Sequence, residues 1–136
     1  MEPIPFKRTV CACQSCQDCC RRVPGVCLPG EPERIAAKVG KPVEALFVAS
    51  PGALVKNVKT NLAYWIKAIR PRKVKGKCIF LTEAGLCSIH EISPFGCSHF
   101  DTHMSAHEAN KRSVWGHKLI QDNPEYYKLR EKLPIA

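Results

Sequence analysis

Nine cysteines carry most of the chemistry that this sequence could perform. Five of them lie within ten residues, in CACQSCQDCC from Cys11 to Cys20. The other four follow at wider spacing: Cys27, Cys78, Cys87 and Cys97. A C-x-x-C step allows one tight turn to point two sulfurs at the same ion, so the overlapping steps from Cys13 to Cys19 can present three. This pattern favours metal ligation over the two competing interpretations, a disulfide knot and a redox pair.

The surrounding sequence weakens both competing interpretations. The N-terminus, MEPIPFKRTV, has prolines and charges where a signal peptide needs an apolar stretch, so we expect a cytoplasmic protein with reduced thiols. A redox C-x-x-C normally lies within a βαβ pattern, which is missing around Cys13. Bacterial ferredoxin ligands follow C-x2-C-x2-C-x3-C-P, and Cys20 comes too early for the fourth position. A ferredoxin fold is therefore not expected, whereas an iron–sulfur cluster remains an alternative to zinc.

Two segments carry a resemblance to a known family. CQSCQDCC, residues 13–20, resembles the signature of the CxxCxxCC zinc- or iron-chelating family, also called the YkgJ-type cysteine-cluster family. CIFLTEAGLCSIHEISPFGC, residues 78–97, is similar to its second half, and PERIAAKVGKPVEALF to the helical segment between them. The sequence departs from the family at His90, where Tyr is usual, at Ser93, where Arg is usual, and in the additional Cys11. The absence of that Arg puts in doubt any role in which a cation at this position stabilises the sulfur cluster.

The resemblance implies a domain that binds zinc or an iron–sulfur cluster. The predicted metal ligands are the eight cysteines that the two segments and the loop between them supply: Cys13, Cys16, Cys19, Cys20, Cys27, Cys78, Cys87 and Cys97. Eight thiolates could serve two zinc sites, or one four-iron cluster and one zinc. Neighbouring Cys19 and Cys20 point in different directions in most backbone conformations, so they serve different sites or one is a core thiol.

Histidines could complete such a site. His99, His103 and His107 are spaced four apart and would share one face of a helix, but the glutamate that H-E-x-x-H chemistry needs is replaced by Phe100. His99 lies two residues from Cys97, so we retain His99 and His103 as additional candidate metal ligands.

The net charge of +9 is concentrated between Ala45 and Thr82, a stretch without Asp or Glu. Its basic residues are candidate nucleic-acid contacts: Lys56, Lys59, Lys67, Arg70, Arg72, Lys73, Lys75 and Lys77. Together with Tyr64 and Trp65 they could bind a nucleic acid, and the same charge could attract an acidic protein. Alternatively, part of the positive charge offsets thiolate–metal sites, because a zinc ion with four thiolates carries a charge of minus two.

The elements that must position these residues are short. EPERIAAKVG predicts a helix with Pro32 in its first turn, Glu31 and Glu33 at its positive end and Gly40 after its end. Ile35, Ala36 and Val39 are expected to form its apolar face. KPVEALFVAS predicts a second helix. Apolar residues three or four apart favour an amphipathic helix over residues 53–70. KCIFLTEAGLCSIH predicts two strands around a turn, ISPFGCSHF a loop, and the sequence after Ser105 two further helices. The expected fold is α+β, mainly α: a small, irregular, metal-stapled domain with short helices and a minor β-hairpin.

We expect one metal-binding domain over residues 1–136, with a cysteine-cluster core at 10–100 and a helical C-terminal tail at 101–136. No apolar run is long enough to span a membrane. The leading hypothesis is a metal-binding protein of unassigned biochemical role. The second is a metal-stapled nucleic-acid-binding protein that uses residues 56–77. The third is a metal- or cluster-dependent enzyme, which would need an open metal position.

Overall fold

A computed structural model of the chain describes residues 4–9, 25–57, 62–82, 87–89, 92–100 and 103–135. The described residues form helices and two antiparallel sheets of two strands each, so the predicted α+β class, mainly α, is confirmed. In chain order the elements are α1 (Glu31–Val39), α2 (Val43–Leu46), β1 (Phe47–Asn57), β2 (Leu62–Pro71), β3 (Lys73–Val74), β4 (Lys77–Cys78), α3 (Phe95–Ser98), α4 (Ala106–Gln121) and α5 (Pro124–Glu131).

The first helix forms where the sequence predicts it. Pro32 occupies the first turn, and the Gly40 N–H closes the helix on the carbonyl of Ala36 at 2.8 Å, with a φ of 79° that favours glycine. Its buried face includes Ile35 and Ala36, whereas Val39, predicted to lie on the same face, is exposed.

The helix predicted over residues 53–70 is wrong, because this stretch belongs to a long β-hairpin. β1 pairs antiparallel with β2 from Phe47 opposite Pro71 to Asn57 opposite Leu62. Both strands contain β-branched and aromatic residues, and such side chains pack better on a pleated surface than in a helix. The register shifts between Ser50 and Ala53, where Pro51 has no N–H to donate to the ladder.

The hairpin also shortens the second predicted helix. α2 ends at Leu46 because Phe47 already belongs to β1. Further along, the predicted pair of strands around a turn is reduced to a single antiparallel bridge between Leu81 and Cys87, and the turn itself lies outside the described residues. The predicted loop at ISPFGCSHF contains the one-turn helix α3.

The two C-terminal helices agree with the prediction and carry side-chain caps. The Ser105 hydroxyl accepts a hydrogen bond from the Glu108 N–H at 3.1 Å, and Asn123 Oδ1 accepts one from the Tyr126 N–H at 3.0 Å. Each cap satisfies an N–H that the first helical turn leaves unpaired. No helix among the described residues is both long and apolar enough to cross a bilayer.

The core lies between the hairpin and the helices. Its fully buried side chains come from all parts of the described chain and include Leu28, Ile35, Leu46, Phe47, Ile69 and Ile120. Aromatic contacts extend it, with Phe47 against Phe80 at 6.0 Å and Phe95 against Trp115 at 5.5 Å between ring centroids. The outer edge of β1 is met by the last described residues, where the Ala49 N–H donates to the Pro134 carbonyl at 2.7 Å.

Candidate metal centre

The segment that carries Cys27 packs backbone-to-backbone against the segment that carries Cys97. The Gly96 N–H donates to the Val26 carbonyl at 2.9 Å, and the Gly25 N–H donates to Cys97 Sγ at 3.2 Å. A Cβ on Gly25 would overlap the backbone of Gly96 and Cys97, and a Cβ on Gly96 would lie 2.7 Å from Gly25 Cα. Because glycine has no Cβ, glycines at both positions let the two backbones approach this closely. The two cysteine-bearing segments are therefore in direct contact.

Cys27 is held on its other side by β2 and α5. Its N–H donates to the Ile69 carbonyl at 2.9 Å, and its carbonyl accepts from the Tyr126 hydroxyl at 2.7 Å. The same hydroxyl oxygen accepts the Ile69 N–H at 2.7 Å. The Cys27 backbone is therefore fixed by two elements, β2 and α5, and its side chain is fully buried.

A buried carboxylate joins the same segments. Glu31, at the start of α1, is 2% exposed, and its Oε1 accepts the N–H groups of Leu28 at 2.6 Å and Phe95 at 3.0 Å. Its Oε2 lies 3.6 Å from the Arg34 guanidinium. Burial is the main reason that the pKa of Glu31 is raised, and the two N–H donors and Arg34 oppose that rise. Glu31 thus links the Cys27 segment to the turn before Cys97.

The three later cysteines line one small cavity. Cys78 ends β4, Cys87 forms the bridge to Leu81, and Cys97 lies within α3. The cavity measures about 10 Å³, close to the space that one water-sized sphere needs. Apolar residues complete its wall: Pro71, Phe80, Leu81, Ile89 and Pro94.

Burial raises the pKa of two of the described cysteine thiols, Cys27 and Cys87. The pKa of Cys27 is raised well above its usual range by burial, then by the negative charges of Glu31 and Cys97, while Arg70 lowers it. Burial also raises the pKa of Cys87, against smaller lowering effects from a backbone hydrogen bond with Ile89 and from the Arg8 charge. A thiol of this kind becomes a thiolate when a metal displaces its proton.

The sulfur atoms of cysteine are ligands that favour zinc and iron–sulfur clusters, so these donors fit either zinc or iron. All four described cysteines are free of disulfides. Cys97 Sγ accepts the Gly25 N–H, a hydrogen bond that would stabilise a thiolate. However, no three Cys, His, Asp or Glu side chains within the described ranges lie close enough together to hold a metal ion. The other predicted ligands, Cys13, Cys16, Cys19 and Cys20, lie outside the described residues together with Cys11.

The structure places the two candidate histidines differently. His99 is buried, with its Nδ1 2.6 Å from the Ser98 hydroxyl and its ring stacked on Phe95 at 5.1 Å. Burial, followed by the charges of Arg112 and Arg8, lowers the pKa of His99. His103 is exposed, and both residues precede α4 and so do not share a helix face with His107.

A cation does reach the position of Ser93, where the family usually has Arg. The Arg8 guanidinium lies 3.5 Å from the Ser93 hydroxyl, and its charge lowers the pKa of Cys87. Ser93 precedes Pro94, which lines the cysteine cavity. An arginine from the N-terminal segment thus supplies a positive charge on this side of the cavity.

Among the described residues, the predicted basic surface is only partly exposed. Arg70 and Arg72 are partly buried; the Arg70 Nε donates to the Ser50 hydroxyl at 3.2 Å, and the Arg72 guanidinium donates to the Glu44 carbonyl at 2.9 Å. Of the lysines, Lys67, Lys73 and Lys75 are exposed and Lys77 is partly buried. Lys59 lies outside the described residues, as do the side chains of Lys56, Tyr64 and Trp65.

Several residues that position the cysteines were missed from sequence. Gly25 and Gly96 each lie beside or near a cysteine, and a glycine next to a predicted ligand was the available signal for a close backbone approach. Glu31 was assigned only to the positive end of α1. The role of Tyr126 had no sequence signal, because its hydroxyl meets Cys27 across 99 residues.

Comparison with known proteins agrees with the cysteine pattern. The family model CxxCxxCC, described as “Putative zinc- or iron-chelating domain”, matches residues 12–123, which is most of the chain. No curated protein and no solved structure matches the sequence.

Proposed function

This chain belongs to the CxxCxxCC family of zinc- or iron-chelating domains, and from that membership we propose that it binds its metal through cysteines of both sequence halves. The observation that carries the proposal is the direct backbone contact between the Cys27 and Cys97 segments, through Gly25 and Gly96. It brings a cysteine of the first half beside the cavity that the second half lines.

In this proposal Cys27, Cys78, Cys87 and Cys97 supply thiolates from the described side of the site. Cys13, Cys16, Cys19 and Cys20 supply the remaining ligands, because the C-x-x-C spacing lets one short loop direct several sulfurs at the same place. The bound group is zinc or an iron–sulfur cluster. Its role is to staple segments that are distant in sequence, as in other small domains whose metal contributes folding free energy.

The more specific assignments of family label, location, partners and enzymatic role remain predictions from the sequence. The family match is to CxxCxxCC as a whole, and the narrower YkgJ-type label and the cytoplasmic location are expectations from sequence. The nucleic-acid and acidic-partner hypotheses gain little support from the described basic residues, since Arg70 and Arg72, two of the eight, donate hydrogen bonds within the domain. An enzymatic role would require a metal position left open by the cysteines.

The proposal is tested by purifying the full-length protein without oxygen and measuring zinc, iron, sulfide and the visible spectrum. We expect bound zinc, or brown protein with iron and sulfide, in a fixed ratio to protein. Cys97→Ser and Cys78→Ser should lower that ratio, whereas Cys11→Ser should retain it, because Cys11 is not among the predicted ligands. Protein that contains no metal and takes up neither zinc nor iron with sulfide would overturn the proposal.

A further inference from the structure

We propose that residues 4–9 form a strap whose docking on α3 and α4 strengthens metal binding, and that bound metal in turn holds the strap in place. The strap itself contains no cysteine or histidine, so it acts by positioning other residues. This inference rests on the proposed function, because it concerns what controls the affinity of the same site.

The strap ends on the one-turn helix that carries Cys97. The Thr9 N–H donates to the Ser98 carbonyl at 2.7 Å, and the Thr9 hydroxyl lies 3.2 Å from the Phe100 carbonyl. Cys97 directly precedes Ser98, and its Sγ accepts the Gly25 N–H at 3.2 Å. In the sequence, Thr9 lies before the five clustered cysteines and Gly25 lies after them. The chain is therefore fixed to neighbouring residues of α3 on both sides of that cluster.

A buried arginine of α4 joins the strap to the end of α3. Nη1 of Arg112 donates to the Lys7 carbonyl at 2.9 Å and to the His99 carbonyl at 2.8 Å, and His99 is the residue after α3. Its Nε donates to Glu108 Oε1 at 3.0 Å. Hydrogen bonds from a charged donor are stronger than neutral ones, so this guanidinium holds the two segments firmly against each other.

The Phe6 side chain is the aromatic anchor of the strap. Its ring meets Trp115 edge-on at 5.6 Å between centroids, and the guanidinium carbon of Arg112 lies 5.2 Å from its centroid. Trp115 in turn packs against Phe95, the first residue of α3, at 5.5 Å. Contacts of these two kinds are individually modest, so docking of the strap is a local equilibrium that metal binding can shift.

Docking and metal binding favour each other because they order the same part of the chain. With the strap docked, less conformational freedom remains to be lost when cysteines of both halves bind one metal. Linkage requires the reverse effect, so bound metal must favour the docked strap by the same factor. A segment that only stabilised the fold locally would dock equally well with and without metal.

The test first compares zinc affinity, measured by titrating the reduced, metal-free, full-length protein against a competing chelator. We expect Phe6→Ala to weaken zinc binding by about 5–50-fold, the combined strength of one aromatic and one cation–π contact. Phe6→Tyr keeps the ring and should retain most of the affinity. Lys7→Gln should bind like the wild type, because the Lys7 side chain is exposed and its carbonyl is unchanged.

The second measurement is hydrogen exchange of the Thr9 N–H in the wild type, followed by NMR with and without zinc. We expect zinc to slow this exchange severalfold, because it holds the strap in the docked state. The Gly40 N–H, which closes α1 on Ala36, is the control and should exchange at the same rate in both samples.

The outcomes separate this inference from the proposed function. Wild-type protein that takes up neither zinc nor iron with sulfide would overturn both; protein that binds only iron with sulfide is compared in that form. If the wild type binds and Phe6→Ala binds as tightly as Lys7→Gln, the strap role is wrong while the metal site stands. If Phe6→Ala does not fold, the wild-type Thr9 N–H decides, since equal exchange with and without metal would overturn the coupling.

Discussion

At the scale of single residues, Glu31 does more for the centre than its sequence position suggests. One oxygen of its side chain accepts two buried backbone N–H groups, one beside Cys27 and one two residues before Cys97. A buried donor that loses its partner costs about 1–3 kcal/mol. The alignment of the two cysteine segments therefore depends on a side chain that binds no metal in the proposed site.

Two substitutions of Glu31 distinguish its role as a hydrogen-bond acceptor from the effect of its charge. We expect Glu31→Ala to lower the free energy of unfolding by about 2–5 kcal/mol, because the N–H groups of Leu28 and Phe95 both lose their acceptor. Glu31→Gln keeps a carbonyl oxygen in place and should cost less than about half as much. Urea denaturation measured by circular dichroism gives both values, and equal destabilisation by the two variants would contradict this account.

The charge of Glu31 predicts a pH effect of defined sign. Because burial raises its pKa in the folded protein, the folded state binds the proton more tightly than the unfolded chain does. Glu31 therefore adds stability as the pH falls through its folded-state pKa and costs stability above it. The unfolding free energy of wild type minus that of Glu31→Gln should rise as the pH is lowered from neutrality, and a constant or falling difference would contradict the prediction.

At the scale of elements, the decisive contact is between the loop at Gly25 and the one-turn helix α3, which contains Gly96. Gly25 and Gly96 meet through their backbones, where no side chain could be accommodated. We expect Gly96→Ala to lower the free energy of unfolding by at least about 2 kcal/mol, since its Cβ would overlap backbone atoms that cannot rotate away. Chemical denaturation and zinc titration should both show the loss.

Gly116→Ala is the matched control for this prediction. Gly116 lies inside α4, and a Cβ there would be 3.0 Å from the side-chain atom Cε2 of Phe95, which can shift. Alanine also favours a helix interior over glycine by about 1 kcal/mol. The stability of Gly116→Ala should stay within about 1 kcal/mol of wild type, and a loss as large as that of Gly96→Ala would show that any added methyl group is disruptive.

The elements also show how far sequence reasoning reaches. α1, α4 and α5 were predicted because local signals determine them: Pro32, Gly40 and the apolar face of α1, and Pro124 at the start of α5. The β1–β2 hairpin was missed because its apolar residues also recur at helical spacing. Only the pairing of distant backbone groups, from Phe47 to Pro71, decides between the two.

The same distinction between local sequence signals and long-range contacts applies to the cysteines. Their spacing predicted the family, which the match over residues 12–123 confirms. The spacing did not indicate that Cys27 lies between β2, α5 and the Cys97 segment, because those contacts join residues far apart in sequence. The hydrogen bond from partly buried Arg70 to the Ser50 hydroxyl was hidden for the same reason, within a run of basic residues.

At the scale of the whole molecule, the proposed metal would hold together the cysteine-bearing segments of the two sequence halves, in addition to the contacts of the apolar core. Ligands that bind the folded state alone stabilise it by about 4 kcal/mol at a thousand times their Kd. We therefore expect a chelator that removes the metal to lower the melting temperature by on the order of 10 °C. Calorimetry before and after metal removal measures this, with restoration by added zinc or iron as the control, and an unchanged melting temperature would argue against a structural role.

The contact between the Ala49 N–H and the Pro134 carbonyl has a consequence for solubility. Among the described residues, β2 is the strand that pairs with β1, and an uncovered strand edge invites pairing with other chains. At Ala49 the chain covers that edge with its own backbone, through a parallel bridge to Ile135. The residues after α5 thus protect the hairpin against edge-to-edge association, a task separate from anything that the cysteines do.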